Sequence, residues 1–240
     1  MENSIKITID GQVFETSPGK TVLDVARENN IYIPTLCYHP RTGKAGKCRA
    51  CLVEVEGLRG LKESCALDAR DGMVVKTNTE QIIQVRKMIV ELYLSNGEHN
   101  CIACEQNGHC ELQDMAYHLG IERPSFLMDY QHVPLDESSA GIIRDNNKCI
   151  ECGRCITACN NNVMHEVLDF GWRSGHTKVI CDNDLPMGQS SCVQCGECVQ
   201  VCPVGALTFK NAKGKGPFWE LEKKKTICTY CGVGCSIDMY

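Results

Sequence analysis

The chain has 240 residues, of which 43% are hydrophobic, 23% charged and only 6% aromatic, the balance of a soluble globular protein with two or three small domains. A net charge of −5 argues against nucleic acid or an anionic membrane as partner, and no apolar run approaches a bilayer span. Nineteen cysteines are the outlier; with no secretory leader before the first strand pattern, they point to metal held in a reducing cytoplasm rather than to a disulfide scaffold.

Residues 4–10 and 12–16 alternate apolar and polar side chains around Gly11, which predicts a β-hairpin. Ser17-Pro18-Gly19-Lys20 is a turn, and Thr21 is placed to cap a helix over 22–30 whose apolar side is Val22, Leu23, Val25 and Ala26. Cys37 follows, then a loop with Gly43 and Gly46 that carries Cys48 and Cys51. Strands over 51–57 and 73–77 flank Cys65, giving C-x10-C-x2-C-x13-C inside a ββαββ pattern. Small loop residues let backbone N–H groups come close to ligand sulfurs and adjust the potential of a metal site. A structural zinc site is the alternative for these four cysteines. The segment Gly43-Lys44-Ala45-Gly46-Lys47 lacks the P-loop spacing and is set aside.

Residues 80–95 carry apolar side chains on a helical period, with Thr79 as the cap. Cys101, Cys104 and Cys110 come next. Three thiolates leave a cubic cluster one ligand short, and His99 lies near enough in sequence to supply it. His109, beside Cys110, is the alternative. Neutral imidazole in place of a thiolate makes such a site less negative and moves its potential. The remaining histidines, His39, His118, His132, His165 and His176, read as surface or hydrogen-bonded residues.

An internal repeat then stands out. CIECGRCITACN (149–160) and CVQCGECVQVCP (192–203) share C-x2-C-x2-C-x3-C at an offset of 43 residues. This is the bacterial two-cluster ferredoxin run, in which the fourth cysteine of each run ligates the other cluster. Cysteines at i, i+3 and i+6 wrap three corners of a cube, and the next begins a helix that points away. The predicted sets are therefore Cys149, Cys152, Cys155 with Cys202, and Cys192, Cys195, Cys198 with Cys159. Pro203 follows Cys202 as the run expects, whereas Asn160 stands after Cys159. Zinc would need two four-cysteine sites here and favours separated C-x2-C pairs. Cys181 stands alone and reads as a buried small hydrophobe.

A linker over 211–217 and the run Lys223-Lys224-Lys225 lead to Cys228, Cys231 and Cys235. Three readings remain open for this tail. It holds a further 4Fe–4S cluster whose last ligand is Cys181, a partner's residue or a non-cysteine group; it is a vestige of a split gene; or it binds zinc.

The amino-terminal cysteine spacing resembles the 2Fe–2S domain that opens the large iron–sulfur subunit of complex I and many [FeFe] hydrogenases. The stretch from Gly97 through Leu112-Gln113 resembles the 4Fe–4S motif of the same families, in which three cysteines and one histidine bind the cube. Its histidine stands two residues before the first cysteine rather than four, a variant similar to the small diaphorase subunit of NAD-reducing [NiFe] hydrogenases. CTYCGVGC at 228–235 resembles the motif that opens the molybdenum- or tungsten-pterin domain of formate dehydrogenases.

The order of motifs implies an α+β protein. Residues 1–79 are then a β-grasp 2Fe–2S ferredoxin domain, 80–120 a small helical 4Fe–4S domain with one His and three Cys ligands, 138–210 a two-cluster bacterial-ferredoxin-like domain, and 211–240 a linker and Cys-rich tail. The cofactors implied are one 2Fe–2S cluster, three 4Fe–4S clusters and, at the tail, a fourth. No G-x-G-x-x-G opens a βαβ unit, so neither NAD nor flavin is expected in this chain. A chain with clusters alone is a wire between two-electron sites on other subunits. The resemblance implies a flavin and Fe–S subunit that oxidises NAD(P)H on one side, with ferredoxin as a further partner, and a hydrogenase or Mo/W formate dehydrogenase catalytic subunit on the other. Electron bifurcation would take place at a flavin outside this chain. The alternative is that the chain is the amino-terminal Fe–S portion of a split formate dehydrogenase alpha subunit.

Overall fold

In the computed structural model, which describes residues 4–126 and 132–240, the chain opens with strands β1 (Ile5–Ile9) and β2 (Gln12–Thr16). Met1-Glu2-Asn3, the stretch that bears on a leader, lies outside the described residues. The two strands pair antiparallel because Asp10 and Gly11 both take positive φ, 50° and 83°, the mirror-image turn whose twist suits a hairpin. Helix α1 (Val22–Glu28) is nucleated by a reciprocal cap: the Thr21 hydroxyl accepts the Asp24 N–H at 3.2 Å, and the Asp24 carboxylate accepts the Thr21 N–H at 2.9 Å. It ends two residues before the expected 30, because Asn29 caps it and Asn30 turns back at φ 58°.

Strands β3 (Leu52–Val55), β4 (Lys62–Glu63) and β5 (Met73–Lys76) complete a sheet of order β2-β1-β5-β3-β4. β5 runs parallel to β1 and antiparallel to β3. The two-residue β4, absent from the sequence pattern, sits at the edge and delivers Ser64 and Cys65. Ile7, Ile9, Val53 and Val75 of the sheet pack against the buried side of α1 to form the first core.

Helix α2 (Glu80–Ser95) occupies the expected span, capped by the Thr79 hydroxyl accepting the Ile82 N–H at 3.5 Å. Helix α3 (Glu111–His118) starts directly after Cys110. Val90 of α2 and Leu112 and Met115 of α3 form a second core with Leu36, Cys37 and Cys48 from the first domain and Ile150, Cys152 and Val204 from the repeat region.

The repeat region has two antiparallel ribbons: β6 (Ile142–Arg144) with β9 (Leu207–Phe209), and β7 (Leu168–Gly171) with β8 (Lys178–Cys181). Two short helices, α4 (Arg154–Thr157) and α5 (Glu197–Val201), pack together, and α4 runs on into a π-helical turn over Ala158–Asn162. The sequence repeat is written into the backbone. Glu151 and Gln194 take φ of 54° and 57°, and Gly153 and Gly196 take 80° and 77°, at the same 43-residue offset. A left-handed glycine before each helix lets the loop turn tightly around the space inside it. Strands β10 (Lys224–Ile227) and β11 (Ser236–Met239) form the tail hairpin. The whole is a mixed α and β structure, and among the described residues no helix is long and apolar enough to cross a membrane.

Candidate metal centres

The folded repeat brings cysteines distant in sequence around shared cavities. Cys149, Cys152, Cys155 and Cys202 line one, together with Ile150, Pro203 and Leu207. Cys192, Cys195, Cys198 and Cys159 line another, with Leu168 and Met187 among its walls. In each loop the second residue after the first cysteine turns its backbone N–H onto that sulfur: Glu151 to Cys149 and Gln194 to Cys192, both at 3.4 Å. Burial pushes the Cys152 and Cys198 thiols up to about 12 and raises Cys149 and Cys155 further. Thiols so buried ionise only against a positive charge, which bound iron would provide.

A third cavity is lined by His99, Cys101, Cys104 and Cys110, with Lys148, Val204 and Gly205 on its far side. The His99 Nε2–H donates to the Tyr93 carbonyl at 3.0 Å, which helps fix the ring. Burial holds the His99 pKa below its usual value, against the pull of the Tyr93 and Asn96 carbonyls. That keeps it in the neutral form a metal needs. His109 is turned elsewhere: it stacks on Phe218 at 4.1 Å and 18°, with Nδ1 3.3 Å from Gln106.

Cys37, Cys48, Cys51 and Cys65 are all buried at the junction of the first domain with the rest. They associate as two pairs. Within each pair the neighbouring thiol favours one thiolate over the other: Cys48 lowers Cys37 and Cys65 lowers Cys51, while Cys48 and Cys65 are themselves raised. Two such pairs would suit a two-iron site, one pair for each iron. The Leu36 N–H reaches the Cys48 sulfur at 3.4 Å and the Cys48 N–H reaches Cys37 at 3.5 Å. The fold thus gathers these sixteen side chains into four groups, three of them around cavities and the fourth fully buried. Among the described residues no group of three or more His, Cys, Asp or Glu converges tightly on a single-ion position.

The tail is different. The Cys228 N–H donates to the Cys235 carbonyl at 2.8 Å across the hairpin, but Cys231 and Cys235 face solvent. The segment leading to the hairpin packs near the third cavity, with Phe218 on His109 and Trp219 over Gly108. Cys181, one candidate fourth ligand, is instead fully buried in the core of the repeat region with Val179 and Leu168, its pKa raised to about 11 by that burial. Its burial matches the small buried hydrophobe that its isolation in the sequence predicts.

The candidate ligand groups touch one another through the fold. Cys37 and Cys48 share an apolar cluster with Cys152. The Cys104 sulfur lies against Gly205, three residues past Cys202, where an added Cβ would stand only 2.7 Å away. The Glu111 N–H, next to Cys110, donates to the Pro203 carbonyl at 2.9 Å. Arg154, between Cys152 and Cys155, is 2% exposed and grips the Glu111 carboxylate with two bonds at 2.6 and 2.7 Å. Sequence patterns do not single out Arg154, Glu111 or Gly205, since nothing in either loop announces a partner on the other.

Among solved structures, a chain from the crystal structure of NAD+-reducing [NiFe]-hydrogenase in the H2-reduced state superposes with a TM-score of 0.82 at 34% identity, covering 89% of this chain and 90% of that one. The chain belongs to that iron–sulfur family. Four family models agree along its length: a 2Fe-2S iron-sulfur cluster binding domain at residues 2–80, the NADH-ubiquinone oxidoreductase-G iron-sulfur binding region at 86–125, a 4Fe-4S dicluster domain at 148–206 and a molybdopterin oxidoreductase Fe4S4 domain at 221–240. Curated relatives include a subunit of NADH-quinone oxidoreductase from Rhizobium meliloti (strain 1021), 41% identical over 98% of this chain and 27% of that protein. The NADP-reducing hydrogenase subunit HndD of Solidesulfovibrio fructosivorans is 43% identical over 85% of this chain and 36% of that protein. A putative formate dehydrogenase of Staphylococcus haemolyticus (strain JCSC1435) is 28% identical over 100% of this chain and 28% of its own length. This iron–sulfur chain thus spans about a quarter to a third of the curated relatives it matches.

Proposed function

We propose that the chain is an electron relay in the cytoplasm. It passes single electrons between a flavin and Fe–S subunit that handles NAD(P)H, with ferredoxin as a further partner, and the catalytic subunit of a hydrogenase or a Mo/W formate dehydrogenase. In this reading the 2Fe–2S ligands are Cys37, Cys48, Cys51 and Cys65. The three 4Fe–4S sets are His99, Cys101, Cys104, Cys110; Cys149, Cys152, Cys155, Cys202; and Cys192, Cys195, Cys198, Cys159. The corresponding units are residues 1–79, 80–120 and 138–210.

The observation that carries the reading is contiguity: the Cys149–Cys202 cavity abuts the ligand loops of the other three sets through Cys37, Gly205 and the repeat core. When bound, 2Fe–2S and 4Fe–4S clusters supply one-electron storage at each position. The protein's residues do the rest. Gly205 admits Cys104 to close range, Arg154 ties the Cys110 loop to the Cys152–Cys155 loop, and apolar walls keep water out while backbone N–H groups favour negative charge on the sulfurs.

The test is reconstitution. NAD(P)H should leave the isolated, anaerobically purified chain oxidised and should reduce it once the flavin-bearing subunit is added. Reduction by NAD(P)H with no flavin present contradicts a relay.

A second reading is favoured by one observation, the match of residues 221–240 to the molybdopterin oxidoreductase Fe4S4 domain. Here the chain is the amino-terminal Fe–S portion of a formate dehydrogenase alpha subunit, and Cys228, Cys231 and Cys235 supply three ligands of a fourth 4Fe–4S cluster completed by a group other than Cys181. Co-purification of a pterin-bearing polypeptide separates the two readings.

A further inference from the structure

The buried stripe of α2 runs Ile82, Arg86, Val90 at four-residue intervals, and Arg86 is out of place on it. Its side chain is 5% exposed. The Nε–H donates to the Ala50 carbonyl at 3.0 Å and a terminal N–H donates to the Leu52 carbonyl at 2.8 Å, so the guanidinium holds the residues on both sides of Cys51. Among the described residues no carboxylate forms an ion pair with it. Asp10, whose field reaches it, is already engaged by the Thr77 amide at 2.7 Å and the Thr77 hydroxyl at 2.5 Å.

A guanidinium keeps its proton in proteins. Arg86 is therefore a permanent positive charge taken out of water whose hydrogen-bond acceptors, among the described residues, are carbonyl oxygens, and such a charge demands a negative neighbour. The set of four thiols is that neighbour. Burial pulls the Arg86 pKa down, and Cys51 heads the groups that hold it up.

We propose that Arg86 sets the reduction potential of the two-iron site at Cys37, Cys48, Cys51 and Cys65, as its buried countercharge and as the clamp on the Cys51 loop. The proposal rests on the reading of those four cysteines as 2Fe–2S ligands. Reduction of that site adds one electron and one unit of negative charge, with no atom or proton exchanged; in a titration the electron comes from the chemical reductant. A fixed cation stabilises the more negative state more, so it makes the site easier to reduce. The clamp works in the same direction, because the residue whose carbonyl is held, Ala50, directs its N–H to the Cys48 sulfur. Arg86 comes from the segment that leads to His99, so the helix that starts the second unit tunes the site in the first.

The experiment is an EPR-monitored redox titration of the anaerobically purified full chain, comparing wild type with R86Q, R86M and R86K. Both neutral variants should make the two-iron site at least tenfold harder to reduce, a shift of 59 mV or more to lower potential. Methionine keeps the apolar volume of the stem and serves where glutamine prevents assembly. R86K, which keeps the charge without the fork, should fall between them and wild type, and the potentials of the other sites should not move. An unshifted two-iron signal in the neutral variants overturns the proposal, and so does an R86K shift as large as theirs. Absence of any two-iron signal from wild type overturns the ligand reading beneath it.

Discussion

Gly205 offers a sharp test of how closely the ligand sets are fitted together. Its φ is ordinary, so alanine there brings no backbone strain; the whole effect is steric. The added Cβ would stand 2.7 Å from the Cys104 sulfur, where relaxed heavy-atom contacts need about 3.5–4.0 Å. Cys104 must therefore retreat by about 1 Å, against a metal–ligand tolerance of about 0.2 Å. Overpacking of this kind costs about 1–3 kcal/mol, less than the fold as a whole holds but enough to detach one thiolate. G205A should fold, alter the EPR signal of the His99, Cys101, Cys104, Cys110 set alone, and lower iron by about one atom per chain as a corner of the cube is lost. Gly175 also has ordinary φ and open space around it, so G175A is the matched control and should be silent. An unchanged signal and iron content in G205A would refute the claim that Cys104 is held against the Cys202 loop as a ligand.

Three other outcomes follow from the same geometry. C202S should remove the four-iron signal of the Cys149, Cys152, Cys155 set and C159S that of the Cys192, Cys195, Cys198 set; loss of the opposite signal in each case would show that ligands stay within their own runs. E111Q leaves the buried Arg154 cation half satisfied, and because the Glu111 side chain is 42% exposed the cost should be about 1.5–3 kcal/mol rather than the larger value of a fully buried pair. Native-state hydrogen exchange should register this as about 10- to 100-fold faster opening over residues 154–157, and unchanged protection there would contradict it. Removal of iron should melt the repeat region, whose core includes Cys155, Cys159 and Cys198, while the first sheet keeps its protection on Ile7, Ile9 and Val75; equal loss in both would mean that metal stabilises the two alike.

What the sequence discloses follows from the range of the interactions involved. The hairpin around Gly11, the Thr21 and Thr79 caps and the span of α2 are local, and each is readable within a few residues. The 43-residue repeat is readable because one loop geometry recurs, and the same left-handed backbone angles appear in both copies. Helix α3 is hard to read because its apolar face, Leu112, Met115 and Ala116, fills less than two turns after a cluster of cysteines. The joints between sites are illegible for a different reason. Gly205 against Cys104, and Arg154 on Glu111, are contacts across about a hundred residues and about forty residues of chain, and neither partner carries a mark of the other. Arg86 does carry one: a cation at the i+4 position of an apolar stripe, which passes for ordinary helix patterning until its burial is known. The tail shows the opposite case, a strong motif in which the fold leaves Cys231 and Cys235 at the surface and Cys228 half-buried.

The most direct measurement is iron, zinc and acid-labile sulfide per chain on anaerobically purified protein, with EPR during stepwise reduction. An electron relay with one 2Fe–2S and three 4Fe–4S sites should hold about 14 irons with matching sulfide, and about 18 when the tail cluster is also complete. Zinc with little sulfide would contradict the relay outright, because a chain that holds zinc in these cavities has nothing with which to carry an electron.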